Sequence, residues 1–384
     1  MQYDLTEEQL LLQKTIRRLA KEKVAPGAGN RDETEEFNWD MVELIRENGF
    51  YGTDFPEEYG GSGAGVLALC LAIEELSRAD AATGLLLADQ ELGSLPILLA
   101  ANESQRKKYL PGLAAGRLAA FALTEPCAGS DVAQLRCRAV RDGDSYVLNG
   151  TKNFITNGGV AEVITVYAVI DPDKPTHKNA SVFIVEKGTP GFSAGKREKK
   201  MGIRCSDTAE LIFDECRVPV ENRLGEEGQG FQVMMKTLDF SRPAVAAQAL
   251  GIAAGALDYA IGYAKERYSF GQAIIEHQGI AFKLADMAMR TEAARQLLYK
   301  TCAMFQELPK DLSRLSAEHI RMSSMSKCVC SDVAMWVTTE AVQVLGGYGY
   351  IREFPVERMM RDAKITQIYE GTNEIQRMVI AKTL

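Results

Sequence analysis

Apolar positions recur at helical spacing from the start of the chain. Leu12, Ile16 and Leu19 fall on one face when the backbone turns about 100° per residue. Thr6 with Gln9 three positions later has the form of a capping box, in which each side chain satisfies a free N–H of the other's backbone. The pair predicts a helix starting there. Further helical spacing surrounds residues 41–48, 67–78 and 105–109, punctuated by the turn-rich segment 55–63. No persuasive strand pattern precedes about Arg117.

The period changes after Gly116. Residues 163–170, 180–185 and 209–213 are β-branched or alternating runs between Gly/Pro loops, the signature of strands. Tyr146-Val147-Leu148 and Phe154-Ile155 flank Asn149-Gly150, a dipeptide suited to the positive φ angles of a tight turn. A hairpin is therefore predicted at Asn149-Gly150, with Phe154 and Thr156 on one face of its second strand. From Gly230 onward the helical period returns through 251–265, 282–304 and 317–344. The fold class predicted is α+β, with an N-terminal α-helical domain (1–117), a middle β-barrel-like domain (118–228) and a C-terminal α-helical bundle (229–384).

Composition narrows the function classes. Over 384 residues, 46% are hydrophobic and 25% charged, which excludes a disordered chain. A formal net charge of −8 disfavours nucleic acid, whose binding needs clustered Lys and Arg. The eight cysteines are scattered and the three histidines lie far apart, so free thiols and no metal site are expected. Cys328-Val329-Cys330 is a lone pair inside a predicted helix. No uninterrupted apolar stretch approaches the roughly 20 residues of a bilayer span, and the expectation is a cytoplasmic protein.

Five segments carry candidate chemistry. Leu123-Thr124-Glu125-Pro126-Cys127-Ala128-Gly129-Ser130-Asp131 stands at the helical–β junction, where small residues admit a ligand close to the backbone or simply form an interdomain turn. In Lys152-Asn153-Phe154-Ile155-Thr156-Asn157-Gly158-Gly159, an aromatic plane beside a hydroxyl suits a flat heterocycle, or an ordinary sheet surface. Arg267-Tyr268-Ser269-Phe270-Gly271-Gln272 ends one predicted helix and Gln278 begins the next; the arginine suits a pyrophosphate or a helix dipole. Gln343-Val344-Leu345-Gly346-Gly347-Tyr348-Gly349-Tyr350 closes a helix without the spacing of a dinucleotide fingerprint. Ile368-Tyr369-Glu370-Gly371-Thr372-Asn373-Glu374 presents a carboxylate in a turn, either solvated or, in an apolar cleft, a base for work near neutral pH.

Taken together, in this order and spacing, the five segments resemble the acyl-CoA dehydrogenases of short-, medium- or branched-chain, bacterial type along essentially the whole chain. The resemblance implies FAD as cofactor, a homotetramer, an acyl-CoA substrate and an electron-transferring flavoprotein as electron acceptor. It places Phe121, Leu123, Thr124, Phe154 and Thr156 around the isoalloxazine. Arg267, Phe270, Gln278, Gln343, Gly346 and Gly347 would hold the FAD of an adjacent subunit, and Thr372 and Glu374 the subunit's own. Ser130, Asp239 and Arg242 match positions that contact the CoA arm; Tyr369 and Gly371 sit beside the substrate.

Glu370 matches the family base, which removes the α-proton while the β-hydrogen leaves as hydride. Some relatives carry the base at the position of Ser241, which cannot serve. Residues 85–96 match the helix that floors the acyl pocket, and Asp89-Gln90-Glu91 makes it unusually polar. If Asp89 and Glu91 face the pocket, a short, branched or alicyclic acyl group is expected; otherwise they point to solvent or pair at a subunit interface. Two other readings share the site: an enoyl-CoA reductase running in reverse, and a non-catalytic flavin-binding protein.

Overall fold

A computed structural model describes residues 5–384 apart from Leu312 and Arg314. Helices α1 (Glu7–Leu19), α2 (Ala28–Thr34), α3 (Trp39–Glu47), α4 (Gly65–Ala79), α5 (Ala81–Ala100) and α6 (Glu103–Ala114) precede the first strand. The capping box forms as predicted: Gln9 N donates to Thr6 Oγ1 at 3.2 Å and Thr6 N to Gln9 Oε1 at 3.0 Å. Helix α5 is buried on nearly every face, so no polar stripe marks its period in the sequence.

Strands β1 (Ala119–Ala122), β2 (Arg138–Asp142), β3 (Ser145–Thr156), β4 (Val163–Val169), β5 (Ala180–Glu186), β6 (Phe192–Arg197), β7 (Thr208–Pro219) and β8 (Arg223–Leu224) follow. They form one eight-stranded sheet in the order β6-β7-β3-β2-β4-β5-β8, with β1 parallel to β4. Helix α5 lies across β1 and β4. A Cβ on Gly93 would stand 2.7 Å from Ala119 Cβ, so this glycine sets how closely helix and sheet approach.

The hairpin expected at Asn149-Gly150 is absent. Strand β3 runs through the dipeptide and pairs with both β2 and β7. The reversal lies earlier, at Gly143 (φ 60°), where Asp142 pairs with Ser145. Gly150 instead marks a register shift against β7. It has φ 146°, and a Cβ there would meet Cys137 Cα at 2.8 Å. An irregular strand consumes the freedom of Asn-Gly as readily as a turn does.

The chain then returns to helix: α7 (Gly230–Glu266), a short ribbon of β9 (Tyr268–Ser269) and β10 (Gln272–Ala273), α8 (Gln278–Gln306), α9 (Ala317–Leu345), α10 (Val356–Thr366) and α11 (Asn373–Lys382). The two helical parts share one apolar core, with α4 and α5 packed on α7. Separate cores cover the two faces of the sheet. By length and composition alone α7 and the segment 317–350 could each cross a bilayer, although polar residues interrupt both. The most apolar window of α7 is 83% buried inside the fold, so its hydrophobicity serves the core. Among the described residues no group of three or more His, Cys, Asp or Glu is arranged to hold a metal.

Candidate active site

Glu370 sits in the turn between α10 and α11, in a backbone conformation rare for a side-chain-bearing residue. Its φ is 54° and that of Gly371 is 86°, two left-handed residues in succession. Such strain persists only where neighbours fix it. Gln376 Nε2 donates to the Glu370 and Gly371 carbonyls at 3.0 and 2.9 Å. Thr372 caps α11 by accepting from Ile375 N at 3.3 Å, and Tyr369 OH donates to Gln248 of α7.

The turn aims the carboxylate at α7, where Ser241 Oγ donates to Glu370 Oε2 at 2.5 Å. Burial pushes the Glu370 carboxyl up to about 7, opposed by the Ser241 hydrogen bond and by the charges of Arg242 and Lys327. A carboxylate held near neutrality can take a proton from carbon and release it again.

Two cavities meet at this residue. One, of about 210 Å³, is walled mainly by apolar side chains of α5, α7 and α11, including Leu85, Met234, Val245 and Val379. The other, of about 660 Å³, lies between the sheet and α10, bounded by Thr124, Phe154, Thr156, Ile203, Lys364 and Thr372. Tyr369, Glu370 and Gly371 line both.

Most of the residues singled out in the sequence converge here. Phe121, Leu123, Thr124, Ser130, Phe154, Thr156 and Arg242 all line the smaller cavity, and Thr124, Ser130, Phe154, Thr156 and Thr372 the larger. Glu374, in the first turn of α11, is exposed and lines neither. Arg267, Gly346 and Gly347 line a separate open groove of about 540 Å³. Phe270 at the ribbon tip is 95% exposed, and Gln278 and Gln343 are also on the surface.

Two residues expected beside the substrate line neither cavity. Asp239 does not reach the cavity wall; it is buried, with its carboxylate 2.5 Å from Arg242 Nη1, and bears on the site only through that arginine. Glu91 also faces elsewhere. Two helical positions after Asp89, it is turned about 200° around the axis. It borders a void of about 10 Å³ with Tyr51, Asp54 and Lys310. Asp89 does line the smaller cavity, accepting from Asn157 Nδ2 at 2.8 Å. Burial and the nearby Glu370 raise its carboxyl well above the usual range. Gln90, between them, ties α5 to the chain entering β1, donating to the Leu113 and Arg117 carbonyls and accepting from Ala119 N.

Sequence reasoning missed the residues that hold these walls in place. Lys152 is fully buried and pairs with Glu125 at 2.7 Å. Its Nζ also donates to Leu123 O at 3.0 Å, and Glu125 accepts from Arg136 N and Cys137 N. The pair fixes the Leu123-Thr124 segment against β3. A charge in phase with the inward Tyr146 and Leu148 of β3 was the available signal. Lys327, buried in α9 within a run of small polar residues, donates to Gly371 O at 2.9 Å.

Comparisons with known proteins agree along the whole chain. Residues 6–117 match the acyl-CoA dehydrogenase N-terminal domain, 120–216 the middle domain and 228–384 the C-terminal domain. An acyl-CoA dehydrogenase of Bacillus subtilis is 48% identical, covering 99% of this chain and 98% of the relative. A cyclohexane-1-carbonyl-CoA dehydrogenase of Geobacter metallireducens is 44% identical over 100% of this chain and 98% of its own. The solved butyryl-CoA dehydrogenase of Megasphaera elsdenii superposes with a TM-score of 0.95 at 46% identity, covering 100% and 99% of the two chains. A chain in a structure described as the electron transferring flavoprotein of Acidaminococcus fermentans gives 0.95 at 47% identity, with coverage of 100% and 99%. An acyl-CoA dehydrogenase from Bacillus anthracis complexed with FAD gives 0.91 at 38%, covering 99% of this chain and 67% of that one. With three matched domains in sequence and a carboxylate at the meeting of two cavities, the chain belongs to the acyl-CoA dehydrogenases, oxidoreductases acting on CH–CH groups.

Proposed function

We propose that this enzyme introduces an α,β double bond into a short, branched or alicyclic acyl-CoA, with Glu370 as the base and FAD as the cofactor. The observation that carries the reading is the Glu370 carboxylate, held by Ser241 at the junction of an apolar cavity and a larger one.

The larger cavity suits a flavin. Phe154, 63% exposed on a left-handed backbone, presents an aromatic surface at its edge, and Thr124, Thr156 and Thr372 bring hydroxyls to its walls. When bound, FAD supplies the acceptor for the β-hydride. The chain's own residues do the rest. Glu370 takes the α-proton, and the apolar walls keep water from competing for it. Negative charge that develops on the thioester oxygen needs a donor in place beforehand. The Glu370 backbone N–H, for which no partner is found among the described residues, is suited to that task. Gln248, bonded to Ala81 O at 2.9 Å and to Tyr369 OH, steadies the turn from the side of α7.

The small volume and Asp89 on the wall favour compact acyl groups. Asp89 stays paired with Asn157, and its polar edge gives an extended alkyl chain less apolar wall to lie against. Anaerobic bleaching of bound flavin by palmitoyl-, butyryl-, isobutyryl- and cyclohexanecarboxyl-CoA tests the reading. A compact acyl group should react fastest; best turnover on palmitoyl-CoA would contradict it.

The surface positions of Arg267, Phe270, Gln278, Gln343, Gly346 and Gly347 support a FAD site completed between subunits of a tetramer. Electron-transferring flavoprotein remains the acceptor proposed. A flavin-loaded monomer by light scattering would contradict the shared site.

A further inference from the structure

This inference rests on the reading of Glu370 as the base and concerns what holds that base in its working state. Lys327 projects from α9 with its side chain fully buried. Its Nζ donates to the Gly371 carbonyl and to Asn373 Oδ1, both at 2.9 Å, and neither partner carries a charge. Arg242, the other cation that acts on Glu370, is neutralised by Asp239 at 2.5 Å. Asn373 is itself fixed: its Nδ2 donates to Asp332 Oδ1 at 2.7 Å and to Ser331 Oγ at 2.9 Å.

We propose that Lys327 is the positioning residue of Glu370. Its ammonium grips the Gly371 carbonyl to hold the left-handed Glu370-Gly371 turn, and its charge keeps the neighbouring carboxylate ionised beside an apolar cavity. The grip is shared with Gln376, which donates to the same carbonyl, and the charge with Arg242, which also favours ionised Glu370 but is itself paired with Asp239.

The electrostatics run in the same direction. Burial lowers Lys327 to about 8, while Glu370, Cys328 and Asp332 pull it upward and Arg242 downward. Glu370 is faced by Lys327 from α9 and Arg242 from α7, and it acts in turn on Asp89 of α5. Arg377 of α11 pairs with Asp332 at 2.7 Å. Removing the Lys327 charge removes a cation that favours ionised Glu370, so the carboxyl should titrate at higher pH.

The test compares the FAD-loaded parent with Lys327→Gln, which loses the charge and keeps an N–H donor, and Lys327→Arg, which keeps the charge. Lys327→Met, unbranched and apolar, replaces the Gln variant should that one not fold. Infrared titration follows the carboxyl band that Glu370→Gln abolishes, and anaerobic bleaching by butyryl-CoA is followed across pH. In Lys327→Gln the carboxyl midpoint should rise by about one unit, and bleaching at pH 7 should fall about five-fold. The parent and Gln profiles should converge above pH 8, where the parent's own Lys327 gives up its proton, and Lys327→Arg should return toward the parent midpoint. An unmoved midpoint in Lys327→Gln, or a rate deficit equal at every pH, overturns the proposal. Parent-rate bleaching by Glu370→Gln would instead overturn the base assignment, a result separable from the infrared midpoint.

Discussion

Ser241 of α7 donates a hydrogen bond to Glu370 Oε2 at 2.5 Å, across a sequence separation of 129 residues. The bond ties the first third of α7 to the turn that carries Glu370. It favours the ionised carboxylate against the burial that pushes it up to about 7.

Replacing Ser241 by Ala should therefore shift the acid limb of flavin reduction upward by about one unit. As the proposed base, Glu370 works when deprotonated, so the loss should be several-fold near pH 6.5 and small near pH 9. A pH series of anaerobic bleaching rates checks this, and an unchanged profile would place Ser241 outside the tuning of the base.

Asp89 places a carboxyl on the α5 side of the smaller cavity, the proposed acyl pocket, fixed by Asn157 at 2.8 Å. Asp89→Leu should shift preference toward longer chains, raising the palmitoyl-CoA to butyryl-CoA ratio of kcat/KM at least several-fold. Glu91→Gln, on the far side of the helix, should leave that ratio unchanged. A ratio that responds to Glu91 and not to Asp89 would reverse the assignment.

The Lys152–Glu125 pair is enclosed on all sides. Lys152→Met strands a buried carboxylate, and breaking such pairs costs about 3–5 kcal/mol. Denaturant unfolding should show that loss, together with reduced flavin retention as the Leu123-Thr124 wall loosens. The double change Lys152→Met with Glu125→Leu should recover part of the stability.

Asp362 on α10 accepts from Ile203 N, a β-branched residue held at φ 43°. Burial pushes the Asp362 carboxyl up to about 7. Between the unfolded value near 3.8 and about 7 the folded protein holds a proton that the unfolded chain has released. This contribution to stability is lost as pH rises through that window. Thermal unfolding from pH 5 to 8 should show a downward slope that flattens in Asp362→Asn.

Much of the site could be read from the sequence because its parts are local motifs. Leu123-Thr124, Phe154 and Thr156, and Tyr369-Glu370-Gly371 are short segments, each open to a plainer reading alone but marked by their joint order and the family resemblance, and the fold brings them to the two cavities. The supporting residues are different in kind. Lys152 and Glu125, Asn157 and Asp89, and Lys327 with the Gly371 carbonyl are separated by 27, 68 and 44 residues. Each is intelligible only once tertiary packing buries it. Helix α5 hid its orientation for a related reason: Asp89 and Glu91 lie on opposite sides, but with burial nearly all round the sequence offers no solvent face from which to count. Asn149-Gly150 misled because positive φ serves irregular strands as well as turns.

The central claim is that Glu370 accepts the α-proton. Rapid mixing of FAD-loaded Glu370→Gln with butyryl-CoA under anaerobic conditions tests it most directly, because glutamine keeps the side-chain size and the backbone N–H and removes only the proton acceptor. Ligand should still bind, seen as a perturbed flavin spectrum. Bleaching should slow by roughly 10²–10⁴-fold, the range of general-base contributions. Bleaching at the parent rate would place the base elsewhere.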